Sequence, residues 1–153
     1  MGKVRHAKGD LLDIRGSGRM ICHQTNCTST RAAGLAASIF KEYPWADSYK
    51  DRDRRELGTV DFMHGRNVND PIVAGLNAQY YPGRSSKGDS YGDRIEAFRE
   101  CLRVLYHYDC NHIYFPHGIG CGLAGGEWDH YLELIELYAS HTDQRITIVK
   151  LPR

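Results

Sequence analysis

Two stretches of this chain carry residue types suited to holding a phosphorylated ligand. In PHGIGCGLAGGEW, residues 116–128, glycines fall at 118, 120, 122, 125 and 126. Glycine has no Cβ, so such a turn lets backbone amides approach a ligand closely. Successive N–H groups form an anion-binding concavity, which the N-terminus of a following helix reinforces. Diphosphate is the natural occupant. The spacing is neither GxGxxG nor a Walker motif. No Lys-Ser or Lys-Thr follows the glycines, which disfavours magnesium–nucleotide phosphoryl transfer. In NCTSTRAAGLA, residues 26–36, the Asn26 amide has donors and an acceptor that match ribose hydroxyls. Ala32, Ala33 and Gly34 again permit close backbone approach. A third candidate is GDLL, residues 9–12, where Asp10 either accepts a hydrogen bond from an amine or serves as a turn residue or helix N-cap.

Several titratable groups lie near these loops. His23, three residues before Asn26, has the side chain best suited to acid, base or nucleophilic work near neutral pH. Strand alternation puts His23 and Thr25 on one face and Cys22 and Gln24 on the other. If Asn26 faces a ligand, His23 need not, and a buried core histidine is the competing expectation. His117 precedes the glycine loop. Asp89 and Asp93 lie where a long helix begins, where a carboxylate can simply cap it. Cys121 sits among loop amides able to depress its pKa.

These loops need elements to position them. Residues 4–7 and 20–25 read as strands. Residues 34–43 place Leu35, Ile39 and Tyr43 at helical spacing, and Pro44 ends the run. A second short helix is expected at 46–54. Residues 58–64 and 71–76 read as strands joined by GRNVND. Residues 90–108 hold Ile95, Phe98, Leu102, Leu105 and Tyr106, an amphipathic helix. A strand at 112–115, a helix at 127–140 and a strand at 145–151 complete the chain. The alternation predicts a three-layer α/β/α fold with a central mixed sheet. In such sheets ligands bind beyond the carboxyl ends of strands. Both the 26–36 and the 118–126 loops lie there.

The chain has 153 residues, a length that suits a single domain spanning 1–153. Its 20 Lys and Arg against 19 Asp and Glu give a net charge of +1, which argues against a nucleic-acid-binding protein with a basic surplus. The mixed run KDRDRRE, 50–56, reads as a solvated loop or helix end. No apolar run is long enough to span a bilayer, and MGKVRHAKGD lacks the apolar segment of a secretory signal. The five cysteines lack metal-ligand spacing and read as reduced thiols of a cytoplasmic protein. No metal or cofactor is expected. Trp45 and Trp128 read as packing residues.

The three motifs, in this order, resemble those of a macro domain, the ADP-ribose-binding module. GDLL is similar to the family's early Gly-Asp motif, HQTNCTSTRAAGLA to its first, Asn-containing loop, and IGCGLAGGEW to its diphosphate loop. The last takes the form found in the branch with terminal ADP-ribose protein glycohydrolases and bacterial relatives that process ADP-ribose-1″-phosphate. VAGLNAQYYPG, before the long helix, also resembles those relatives. The similarity spans about residues 4 to 151.

The resemblance implies that Asp10 binds the adenine amine and the Leu11 amide a ring nitrogen. Asn26 would contact the distal ribose. Ala33, Gly34 and Leu35 would line one side of the diphosphate, and the amides of Gly120, Cys121, Gly122 and Leu123 the other, with Ala124 beside them. The implied activity is hydrolysis of an ADP-ribose derivative, a 1″-phosphate or terminal ADP-ribosyl ester, with Asn26, His23 and Gln79 as catalytic candidates. The alternative is a non-catalytic reader. Nucleic acid is expected only as an ADP-ribosylated substrate, and the protein is expected to act as a monomer. Two departures matter. Ala124 stands where the glycohydrolases have an acid, and LNAQYYPGRSS lacks their lysine, so neither mechanism transfers. Ala124 also removes an aromatic ring common in the second loop, which Tyr80 or Tyr81 could replace.

Overall fold

The computed structural model describes residues 2–152. Its elements run β1 (Arg5–Lys8), a 3-10 turn (Leu11–Asp13), β2 (Arg19–Asn26), α1 (Gly34–Glu42), a second 3-10 turn (Pro44–Ala46), β3 (Val60–His64), β4 (Ile72–Gln79), α2 (Tyr91–Tyr106), β5 (His112–Pro116), α3 (Trp128–Ala139) and β6 (Arg145–Lys150). The strands form one six-stranded sheet in the order β1-β6-β5-β2-β4-β3. All neighbours pair in parallel except β3, which runs antiparallel to β4 at the edge. The sheet is therefore mixed, as expected.

Helices cover both faces, completing the α/β/α layers. On one face, Met20, Cys22, Leu76 and Phe115 pack against Phe98 and Leu102 of α2 and Ile135 of α3. On the other, Ile21, Val73 and Tyr114 meet Ile39 and Phe40 of α1. Each fully buried side chain of this size contributes about 1.5–3 kcal/mol. The long interior strand β4 is buried almost throughout because it is covered on both sides.

Two expectations change. No helix forms at 46–54. The Asp47 carboxylate instead accepts the Tyr49 and Lys50 amides, and Asp51 takes a left-handed φ of 56°. Such local side-chain bonding competes with helix formation. Leu35, expected on the buried stripe of α1, is 40% exposed; Ala36, Ile39 and Phe40 supply that face.

One ion pair fixes the segment between β4 and α2. Asp89 and Arg94 are both buried, with Nη2 2.6 Å from Oδ2. Asp89 also accepts the amides of Tyr80 and Tyr81. Burial alone would push the Asp89 carboxyl up, but the bonds from Arg94, Tyr81 and Tyr80 outweigh it and hold the pKa below the ordinary value. Arg94 donates further to the carbonyls of Tyr81, Gly83 and Arg84, and at 3.4 Å to that of Ala124. Neither carboxylate expected to cap α2 does so; the cap is Ser90, whose hydroxyl accepts the Asp93 amide. Asp89→Asn leaves a buried guanidinium without its counter-charge and is expected to cost about 3–5 kcal/mol. Asp93→Asn, at an exposed helix end, should cost less than about 1 kcal/mol. Urea unfolding of the two variants checks this contrast.

Candidate functional site

The carboxyl ends of β2, β4 and β5 open onto a cleft of about 540 Å³. Asn26, Gln79 and Pro116 mark those ends, and the loops that follow form the walls. One wall is the start of α1, with Ala33, Gly34, Leu35 and Ala36 lining the cleft. Ala33, the N-cap residue, supplies no side-chain cap. The amides of Gly34, Leu35 and Ala36 make no hydrogen bond among the described residues; the first intrahelical bond runs from Ala37 to Ala33. Such orphan donors, with the helix dipole behind them, favour an anion.

The opposite wall is the glycine loop. Its internal turns use the amides of Ile119, Cys121, Gly125 and Gly126. Those of Gly118, Gly120, Gly122, Leu123 and Ala124 have no partner among the described residues. Glycine is required at two points here. Gly120 has a φ of 78°, and a Cβ there would lie 2.5 Å from the Tyr131 ring. Gly34 has a φ of 57°, and its missing Cβ would stand 3.2 Å from Leu123 Cδ1 where the two walls approach. At Gly122, by contrast, a Cβ would meet nothing within 4 Å.

The floor is polar. The register of β2 against β4 shifts between Thr25 and Asn26, so Ala78 is an extra residue on β4. This bulge sets Gln79 rather than Ala78 beside Asn26, while His23, Gln24 and Asn26 of β2 all line the cleft. The Asn26 side-chain Oδ1 accepts the Thr28 and Ser29 amides, and its Nδ2 donates to the Tyr49 hydroxyl at 3.2 Å. One Asn26 N–H remains free. Gln79 is more fully committed. Its Oε1 accepts from Gln24 at 2.8 Å, and its Nε2 donates to the Tyr81 carbonyl at 2.9 Å. It anchors the adjoining loop.

His23 is 1% exposed, and neither ring nitrogen has a partner among the described residues. Its ring meets Phe40 edge-on at 5.5 Å. Burial lowers its pKa to about 4, so it is neutral at pH 7. His117 also lines the cleft, exposed beside Trp128, its pKa lowered by burial and by Lys150 and His6.

Other expected residues lie elsewhere. Asp10 and Leu11 are outside the cleft lining, on the same carboxyl rim at the end of β1. Asp10 caps the 3-10 turn by accepting the Leu12 amide, and the Leu11 amide has no partner among the described residues. Cys121 departs from its expected role. Its amide donates to Gly118, it does not line the cleft, and burial and Glu127 push its thiol up to about 11. Tyr80 and Tyr81 do not reach the lining; Pro82 and Gly83 do.

Three site residues escaped the sequence analysis. Tyr49 accepts from both the amide and the side chain of Asn26. Arg52 lies 4.3 Å over the Tyr49 ring and donates to the carbonyls of Asn26 and Ser29. Arg31 lines the cleft as a cation without an ion pair among the described residues. Tyr49 falls in the stretch expected to be helical, and Arg52 in a charge run that looked solvated.

No protein-family model matches the chain. It is 26% identical over 149 residues to the uncharacterized 17.5 kDa protein of the tk-vs intergenic region of Enterobacteria phage T4, covering 90% of each chain. Among solved structures, a Bacteroides thetaiotaomicron protein of unknown function aligns with a TM-score of 0.76 at 25% identity, over 97% of this chain and 98% of that one. The macrodomain of Mycobacterium tuberculosis DarG aligns with a TM-score of 0.77 at 15% identity, over 100% of both chains. Thermosipho africanus DarTG in complex with ADP-ribose aligns with a TM-score of 0.71 at 15% identity, over 95% of this chain and 41% of that one. The architecture is thus that of a macrodomain, a mixed six-stranded α/β/α sandwich with a cleft at the carboxyl ends of its strands. This chain has the macrodomain fold.

The neutral, buried His23 gives a pH test of the floor. Unfolded histidine titrates near 6.5, so between about pH 6.5 and 4 the unfolded chain binds a proton that the folded chain does not. Stability contributed in this way is complete above about pH 6.5 and is lost as pH falls toward 4, by about 3 kcal/mol for a shift of this size. His112, lowered to about 4 by burial and neighbouring arginines, adds to the same window. In urea unfolding, His23→Phe should flatten part of this loss. It should match or exceed wild-type stability at pH 7, since it buries no unpaired nitrogen.

Proposed function

We propose that residues 1–153 act as one macrodomain that binds ADP-ribose. The carrying observation is the pair of facing amide arrays, from Gly34, Leu35 and Ala36 on one wall and Gly120, Gly122, Leu123 and Ala124 on the other. Donors on two sides of a narrow cleft suit a diphosphate, whose charge needs no lysine there. The ADP-ribose held by the similar Thermosipho DarTG structure supports the same ligand. In this reading Ala33 and Leu35 frame the diphosphate with Gly34. Asp10 takes the adenine amine with its remaining oxygen, and the Leu11 amide takes a ring nitrogen. The free N–H of Asn26 reaches the distal ribose, and Arg31 adds a positive charge at the rim.

Hydrolysis of an ADP-ribose derivative is a second reading, favoured by the unpartnered imidazole of His23 at the floor. An anionic 1″-phosphate beside that ring would raise its pKa toward neutrality. The protonated ring would then donate to the departing 1″ oxygen while water forms the new bond to phosphorus, releasing ADP-ribose and inorganic phosphate. Gln79, with its amide committed to the loop, acts by holding the wall in place.

Calorimetric titration with ADP-ribose tests the binding reading. Gly122→Val should weaken binding at least tenfold with unfolding unchanged, because its side chain has room in the empty protein but blocks approach of the diphosphate. Asp10→Ala should lose about 1–3 kcal/mol of affinity. Absence of ADP-ribose binding, or unchanged affinity in both variants, would overturn this assignment. Phosphate release from ADP-ribose-1″-phosphate tests the second reading: His23→Phe should abolish turnover and retain binding.

A further inference from the structure

The opposite end of the sheet carries a cluster that the cleft does not use. Four parallel strands begin there with a basic residue: Arg5 on β1, Arg145 on β6, His112 on β5 and Arg19 on β2. In register, Arg19 pairs with His112 and His112 with Arg145, while Arg5 pairs with Thr147. Register partners point to the same face. The three arginines therefore share one face, with Arg19 and Arg145 about 10 Å apart at the backbone, two strand spacings. All three are exposed, and none enters an ion pair among the described residues, although six such pairs form elsewhere.

His112 holds the middle of the row. Its ring stacks on Tyr114 at 4.0 Å and bonds to the Thr147 and Tyr114 hydroxyls. After burial, the charges that lower its pKa are those of Arg145, Arg19 and Arg5, with no carboxylate offsetting them. The basic character continues along the edge. Residues 2–9 and 145–152 contain Lys3, Arg5, Lys8, Arg145 and Lys150 and no acid. The near-neutral total conceals this local asymmetry. Charges on an edge strand also discourage pairing with other chains, but that accounts for Arg5 and not for Arg19, three strands further in.

We propose that this amino end of the sheet is a second binding surface, which takes the phosphodiester backbone of a nucleic acid across Arg5, Arg19 and Arg145. Each free guanidinium can hold a phosphate through two parallel hydrogen bonds. A membrane surface fits less well, because β1, β2, β5 and β6 expose no large apolar side chain to insert. The surface is separate from the cleft and does not depend on what the cleft binds.

Fluorescence anisotropy of the full chain with a labelled, short, mixed-sequence single-stranded oligonucleotide tests the proposal. Contact with about three phosphates predicts a log–log salt slope of about −2, an affinity loss of roughly 20-fold between about 50 and 200 mM salt. The triple variant Arg5→Glu, Arg19→Glu, Arg145→Glu should weaken binding at least tenfold and leave the ADP-ribose titration unchanged. The matching triple change to Gln, which keeps the side-chain stems, should also weaken binding and guards against misfolding of the charge-reversed protein. Absence of binding at low salt, wild-type affinity in both triple variants, or equal competition by polyglutamate or phosphatidylserine vesicles would overturn it.

Discussion

The buried pair of Asp89 and Arg94 is the contact on which the rest of the site depends. A guanidinium removed from water needs a counter-charge and acceptors for its remaining N–H groups. Asp89 supplies the charge. The carbonyls of Tyr81, Gly83 and Arg84 supply acceptors, so the segment after β4 is wound around one cation. The same guanidinium approaches the Ala124 carbonyl. The glycine loop, which has few side chains of its own to pack, is thus indexed against β4 and α2. Gln79 adds a second tie to the Tyr81 carbonyl. The wall is specified by these buried polar contacts together with its own glycines.

A comparable division of labour holds on the other side. Asn26 ends β2 in the corner, where Tyr49 and Arg52 secure it. Asn26 spends most of its hydrogen-bonding capacity shaping the 26–29 turn, leaving one donor for a ligand. The open amides on both walls are then held at fixed positions, so that little reorganisation remains when an anion arrives. Preorganised dipoles of this kind do more than mobile charges would.

The fold was legible because helix and strand periods alternate cleanly and because the glycines sit between a strand and a helix. Residues 34–42 and 112–116 fall where Pro44 and the apolar run around Ile113 put them. The site was legible to the extent that it is made of backbone: Gly120, Gly122 and Gly34 stand where the motif suggests. What escaped was the support. Arg52 looks like one charge among seven of mixed sign, and only the tertiary fold stacks it on Tyr49. The role of Asp89 was hidden because its partner is itself buried, which sequence patterns for arginine do not anticipate. Alternation sets His23 and Asn26 on opposite faces, yet the cleft crosses the end of the sheet and residues of both faces line it. Cys121 shows the converse: a residue inside the right motif can have its amide consumed by the turn that creates the motif.

Every residue has an amide, whatever its side chain. A cleft whose donors are main-chain groups imposes conditions on conformation more than on identity. Substitutions at Leu35, Leu123 or Ala124 alter the rim while the donors stay in place, provided Gly34 and Gly120 keep their left-handed geometry. Such a cleft tolerates long sequence divergence without losing its row of donors. Rim side chains can then change one at a time, with the main-chain donors left untouched.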